Sequence, residues 1–299
     1  MLWTATLTPA QDFATAVRSP HTLAKYVEAH NDFAWDEMAK ALGITDDRIY
    51  LQECHPCTAR LIEVTSPAQA IVVLANEGTG LRVLLRYDRT TRNTWKFTDA
   101  WSPFAKFDNQ QSLRHVGRKS FLVNSGAGSL GTGFEATYED WFDLIQPAFA
   151  PVFSFIPKSH ILFTSPVVGR IATARISGIS TTPGEKITVE YSVDFVTNAD
   201  QLLLFRRKAK GIFVRGADGK FALDLTRSTV RNAELQDFFE AREDEASWAD
   251  HFLKFNKAEL TGIARGTNTE KRTWLIAWLK TAPDTPESRD LKRLFSLRR

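Results

Sequence analysis

Cysteine is nearly absent from this sequence, with two residues in 299. That excludes a small scaffold that replaces its core with many disulfides. Long apolar runs are also missing. The longest, such as residues 70–75, are strand-sized, well short of the roughly 20 residues a membrane-crossing helix needs. Charge of one sign does not dominate either, since 38 Lys and Arg face 35 Asp and Glu for a net of +3. Nucleic-acid binding usually shows as a concentrated basic face, so this balance gives no strong nucleic-acid signal. The signatures G-x-S-x-G, H-E-x-x-H and G-K-[ST] do not occur, which removes the common serine-hydrolase, metalloprotease and P-loop patterns. No fixed-period internal repeat is visible. Met1-Leu2-Trp3 has no basic n-region, and Pro9, Gln11 and Asp12 interrupt any apolar h-region. A cytoplasmic location is the default expectation, and a periplasmic or secreted one holds if a leader was removed.

What is present points to a soluble globular chain. Hydrophobic residues make up 43% and charged residues 24%, near the globular average, and 21 Phe with 8 Trp fill a core without cross-links. The first 48 residues read as short helices. Phe13, Ala16 and Val17 fall at helical spacing, as do Leu23, Tyr26 and Val27, and a third stretch ends at Gly43, a good C-terminal cap.

From Ile49 the period shifts to strands at 49–51, 60–65, 70–75, 82–87, 94–98 and 119–124, with a return at 134–138. Residues 140–145 are ambiguous, and Pro147, Pro151 and Pro157 limit them to a short helix or an edge segment. Ile187, Val189, Tyr191, Val193 and Phe195 alternate with Thr188, Glu190, Ser192 and Asp194, which describes a strand with one wet face. Strands at 201–206, 212–215 and 220–225 follow, the last two joined by a turn at Gly216-Ala217-Asp218-Gly219. After Thr226 helical spacing returns in four stretches.

Strands bracketed by helices without β-α alternation predict an α+β fold with a mainly antiparallel sheet body. The expected segments are 1–48 helical, 49–226 strand-rich with a subdivision near 157–169, and 227–299 helical. Acids between 231 and 250 and bases between 254 and 299 are expected to pair among the last helices.

Four features bear on chemistry. Cys54-His55-Pro56-Cys57 brings the two cysteines together. In a thiol-disulfide enzyme Cys54 would be the nucleophile and Cys57 the resolving thiol, which wants a helix after the motif. A structural disulfide is the plainer reading, and two Cys with one adjacent His do not close a zinc site. Gly126-Ala127-Gly128-Ser129-Leu130-Gly131 matches G-x-G-x-x-G after a strand, but Thr132-Gly133 disfavours the helix a dinucleotide site requires. A flexible hairpin loop, able to act as a ligand-binding loop through Gly126, Gly128 and Gly131, is expected instead.

Trp95, Phe97, Trp101, Phe104 and Phe107 form an aromatic stretch. Trp95 and Trp101 are ligand-stacking candidates against the commoner core role. Among the acids, Asp99, Asp108, Glu139 and Asp143 are candidates for a hydrolytic carboxylate pair, with surface charge as the plain alternative. Arg206, Arg207, Lys208 and Lys210, near Arg215 and Lys220, suggest an anion patch or a charge-guarded sheet edge. The last helix is basic and amphipathic.

These features do not converge on a catalytic set. The expectation is a non-catalytic binding protein for a small-molecule, glycan or protein ligand, with no cofactor and no metal site. The alternatives are a thiol-disulfide oxidoreductase and a carbohydrate-active hydrolase.

Overall fold

A computed structural model describes residues 13–31, 33–45, 53–54, 56–65, 68–103, 109–116, 119–129, 133–161, 168–181, 184–197, 200–239 and 245–296. The strand expected at 49–51 lies outside the described residues. The chain divides into two units, residues 1–126 with 141–152, and residues 127–140 with 153–299.

In the first unit, helices α1 (Phe13–Ala16), α2 (Pro20–Ala29) and α3 (Trp35–Leu42) form where the helical spacing predicts. Ser19 caps α2 by accepting the Thr22 N–H at 3.1 Å, and Pro20 occupies the first turn, where its missing N–H loses no helical bond. Gly43 ends α3 at φ 72°, a left-handed conformation that glycine adopts without a Cβ clash. Between α2 and α3, β1 (Phe33–Ala34) pairs with β2 (Glu53–Cys54).

Strands β3 (Cys57–Val64), β4 (Gln69–Asn76), β5 (Arg82–Arg89) and β6 (Trp95–Trp101) make a four-stranded antiparallel sheet in that order. Every residue of β4 is buried because both faces are covered. On one face Val72, Leu74, Val83, Leu85 and Tyr87 pack against Leu23, Val27, Trp35 and Met38 of the helices. On the other, Ile71, Val73 and Leu84 pack against Leu122, Phe142, Leu144 and Phe149. Helices this short depend on such docking for their stability.

The second sheet has eight strands in the order β14-β13-β12-β11-β10-β9-β8-β7. Its members are β7 (Gln110–Val116), β8 (Lys119–Ser129), β9 (Phe134–Asp143), β10 (Phe153–Ile161), β11 (Gly169–Ser180), β12 (Lys186–Val196), β13 (Leu203–Arg215) and β14 (Phe221–Leu223). Three local expectations are corrected. Residues 140–143 complete β9, an interior strand, because Pro147 and Pro151 fall beyond its end. The two strands expected at 201–206 and 212–215 are one continuous β13. The glycine segment is not a loop at Gly126 or Gly128, since β8 runs through both.

In the second unit β10 to β14 form an antiparallel meander. The hairpin between β13 and β14 closes with the Gly216 N–H donating to Lys220 O at 2.8 Å, and Gly219 takes φ 79°. Helices α4 (Asn232–Phe239), α5 (Glu245–Phe255), α6 (Lys257–Arg265), α7 (Thr269–Thr281) and α8 (Pro286–Ser296) follow. The α6 helix adds to the four expected stretches, with Leu260, Ile263 and Ala264 buried at helical spacing. Phe239 meets Tyr191 at 5.8 Å and Phe252 meets Phe195 at 5.6 Å, so α4 and α5 cover the apolar face of β12. The protein is therefore α+β, a mainly antiparallel body with helices toward both termini. Among the described residues, no helix is long and apolar enough to cross a membrane.

Candidate functional site

The cysteine pair sits among strands. Cys54 lies on β2 in register with Phe33, and Cys57 opens β3, its N–H donating to Asn31 O at 2.7 Å. Cys57 is disulfide-bonded and 3% exposed. A strand follows it, so it lacks the helix N-terminus that commonly activates a thiolate. His55 lies outside the described residues.

The glycine motif also meets strands. Gly126 and Gly128 belong to β8, Gly131 lies outside the described residues, and the next element is strand β9. A Cβ at Gly128 would lie 3.3 Å from the Tyr138 ring, so glycine there admits close packing of a neighbouring aromatic.

Trp95 and Trp101 are half-buried and packed. Trp95 adjoins the helix-covered core and carries the Arg89 guanidinium 5.6 Å from its ring. Trp101 meets Phe142 edge-on at 4.7 Å. Phe104, Phe107 and Asp108 lie outside the described residues.

Two of the candidate acids hold backbone. Asp99 accepts the Phe149 N–H at 2.8 Å and the Ala100 N–H at 2.9 Å. Asp143 is buried, accepts the Ile145 N–H at 3.0 Å and lies 3.9 Å from Lys119 Nζ. Both carboxylates thus fix the 144–149 connection. Glu139 lies on β9, half-buried. The neighbouring Asp140 accepts from Ser154 Oγ at 2.6 Å, and burial raises its pKa while that bond opposes the rise.

The basic cluster splits across a sheet, because successive residues of β13 face opposite ways. Arg207 points inward. Its Nη1 donates to Phe255 O at 2.7 Å and to Asn256 Oδ1 at 3.1 Å, and its Nη2 donates to the buried Glu234. These groups, with Arg170 and four Phe, line a recess of about 10 Å³, room for a single water at most. Arg215 is held by Glu185 at 2.6 Å.

Arg206, Lys208 and Lys210 instead face solvent, and the register builds three cross-strand rungs around them. The first is His160–Ile171–Asp194–Arg206, the second Lys158–Thr173–Ser192–Lys208, and the third Arg175–Glu190–Lys210. In the outer rungs each carboxylate is held by arginine. Asp194 accepts from Arg206 at 2.5 and 2.7 Å, and Glu190 accepts from Arg175 at 2.8 Å. Those bonds draw both carboxyl pKa values below the ordinary range. The middle rung has no carboxylate. Its two hydroxyls lie between lysines roughly 14 Å apart, three strand spacings. Lys158, Lys208 and Lys210 are exposed and make no ion pair among the described residues.

The edge of β13 is shielded over part of its length. Thr229 N–H donates to Lys210 O at 2.8 Å, and Ser228 Oγ accepts the Ile212 N–H at 2.8 Å. A loop therefore stands in for a neighbouring strand there, and the cations serve the face. Sequence reasoning found the wet side of β12 from its alternation but missed Lys158 and Thr173, because register joins them and periodicity does not reveal register. Among the described residues, no group of three His, Cys, Asp or Glu is placed to hold a metal ion. Set against protein-family models, curated proteins and solved structures, the chain matches none.

Proposed function

We propose that the protein is a non-catalytic binding protein whose solvent face of β10 to β13 docks a partner protein with a net-acidic, mixed-charge surface. The observation that carries this reading is the middle rung, where Lys158 and Lys208 flank Thr173 and Ser192 with no carboxylate among them. Across the three rungs five cations stand against two acids. The acids matter for choosing the partner. Glu190 and Asp194 lie among the cations, so a uniform polyanion would meet repulsion at two places. A polypeptide supplies acids for the lysines together with donors for those carboxylates. No Phe, Tyr or Trp stands in the three rungs for base stacking, which further disfavours a nucleic acid.

Fluorescence anisotropy tests the reading with three labelled probes at low ionic strength. The probes are an acidic peptide with interspersed lysines, a poly-glutamate peptide and a sulfated oligosaccharide. The mixed-charge peptide should bind tightest, weaken with added salt, and lose at least about tenfold in affinity to a Lys158→Glu/Lys208→Glu variant. Binding by none of the probes, or binding untouched by the double substitution, would overturn the reading. Preference for the sulfated probe would replace the protein partner with a glycan.

A further inference from the structure

Two arginines of the first unit stand on the sheet face opposite the helices, with no acid paired to either among the described residues. Arg60 of β3 is in register with Val73, and Arg82 of β5 is in register with Ala75, two residues along the same strand. Residues directly across a ladder and residues two apart share a face, so both arginines rise from the face that carries Ile71, Val73 and Leu84. Only β4 separates their strands, a span of roughly 10 Å that two long side chains bridge. The methyl of Ala75 leaves room above β4 beside Arg82.

Polar groups collect around the pair. Arg60 Nη2 donates to Gln111 Oε1, and Gln111 Nε2 donates to Asn124 Oδ1 at 2.8 Å. Gln111 and Asn124 are both buried. Arg82 is different. Its Nη1 is closed to solvent and has no hydrogen-bond partner among the described residues. Neither arginine forms an ion pair among the described residues. Burial lowers the Arg60 pKa, and the nearby Arg82 charge lowers it further.

We propose that Arg60 and Arg82 form a binding site for a small oxyanion, with the Gln111 and Asn124 amides as its polar wall. A guanidinium N–H shut away from water without an acceptor is costly, and a second cation beside it adds repulsion. One bound oxyanion removes both penalties, because its oxygens accept from two planar forks at once. Phosphate, sulfate and carboxylate groups share that chemistry. The site lies in the first unit and is independent of the partner face proposed above.

Thermal unfolding of the full chain tests the site in sodium phosphate, sulfate or acetate, each against chloride at equal ionic strength and pH. At least one oxyanion should raise Tm in a saturable way. Arg82→Met keeps the aliphatic stem and removes the fork. It should weaken the fitted affinity at least about tenfold while losing no stability in chloride. A response to phosphate or sulfate assigns a tetrahedral ligand, and a response to acetate alone assigns a carboxylate. If Arg82→Met does not fold, Arg60→Met and Arg82→Lys carry the same criterion. No oxyanion-specific rise, or a rise equal in wild type and variants, overturns the proposal.

Discussion

Arg86 grips Asp88 two residues along the same strand through two hydrogen bonds, Nε to Oδ1 at 3.0 Å and Nη2 to Oδ2 at 3.1 Å. Its third nitrogen, Nη1, donates to Gln146 O at 2.6 Å. One guanidinium thus ties β5 to the connection that Asp99 also holds. The side chain is 5% exposed, so the charge is nearly desolvated and depends on these partners. Arg86→Met should destabilise by roughly 2–3 kcal/mol, because Asp88 and a carbonyl both lose their donor. Equilibrium urea unfolding measures it, and a loss below about 0.5 kcal/mol would mean the network is dispensable.

Asp140 gives a pH effect of unusual sign. Burial raises its folded pKa above the unfolded value of roughly 3.9. The folded state therefore binds the proton more tightly, and stability falls as pH rises from that value through the folded pKa. Asp140→Asn keeps an acceptor for Ser154 and removes the half-buried charge. The variant should unfold at a higher temperature than wild type at pH 7, with the gap closing near pH 3. A lower Tm at pH 7 would show that the Ser154 bond outweighs the burial.

Asp194 runs the other way. The Arg206 bonds depress its pKa, so its contribution to stability is complete above the unfolded value of roughly 3.9. That contribution is lost as pH falls through the depressed folded pKa. Asp194→Asn should lower Tm at neutral pH and converge with wild type under strongly acidic conditions. Differential scanning calorimetry across pH 2 to 7 gives the comparison, and parallel curves at all pH values would refute the assignment.

Period and punctuation in the sequence announced much of the fold. The strict alternation over 187–195 placed the wet and dry faces of β12, Gly43 marked the end of α3, and the apolar run at 70–75 marked a strand. Pairing was illegible, because register is settled by contacts distant in sequence. Lys158 and Lys208 look unrelated along the chain, yet they end one rung. The Gly126-Ala127-Gly128 segment misled for a related reason. Glycine signals a turn by default, but here Gly128 faces the Tyr138 ring within a ladder. Asp99 looked available for catalysis because nothing in the sequence reveals that it would accept the Phe149 N–H.

Cys57 offers a direct check on the first unit. It is disulfide-bonded, 3% exposed and set in the helix-covered core beside Val72 and Leu74. Native protein should therefore show no maleimide labelling at Cys57 without reductant, and slow labelling with it, because access requires β3 to open. Fast labelling under native reducing conditions would reveal a thiol exposed enough for exchange chemistry and would favour the oxidoreductase alternative.

The pair of half-buried Arg207 and buried Glu234 decides how firmly α4 is held beneath the meander. Arg206 and Arg207 are adjacent, yet the first serves the outer face and the second the interior. Glu234 also accepts the Arg231 N–H at 2.9 Å, so the same carboxylate closes the first turn of α4. Removing the cation leaves that carboxylate buried without a counter-charge. Arg207→Met should therefore cost roughly 3–5 kcal/mol. Glu234→Gln should cost less, since the amide oxygen still accepts one of the two bonds, from Arg207 Nη2 or from the Arg231 N–H, and no lone anion remains. Hydrogen exchange adds the location, because protection should fall first in α4 if the pair anchors that helix. Equal costs for the two substitutions would show that the hydrogen bonds matter and the charge does not.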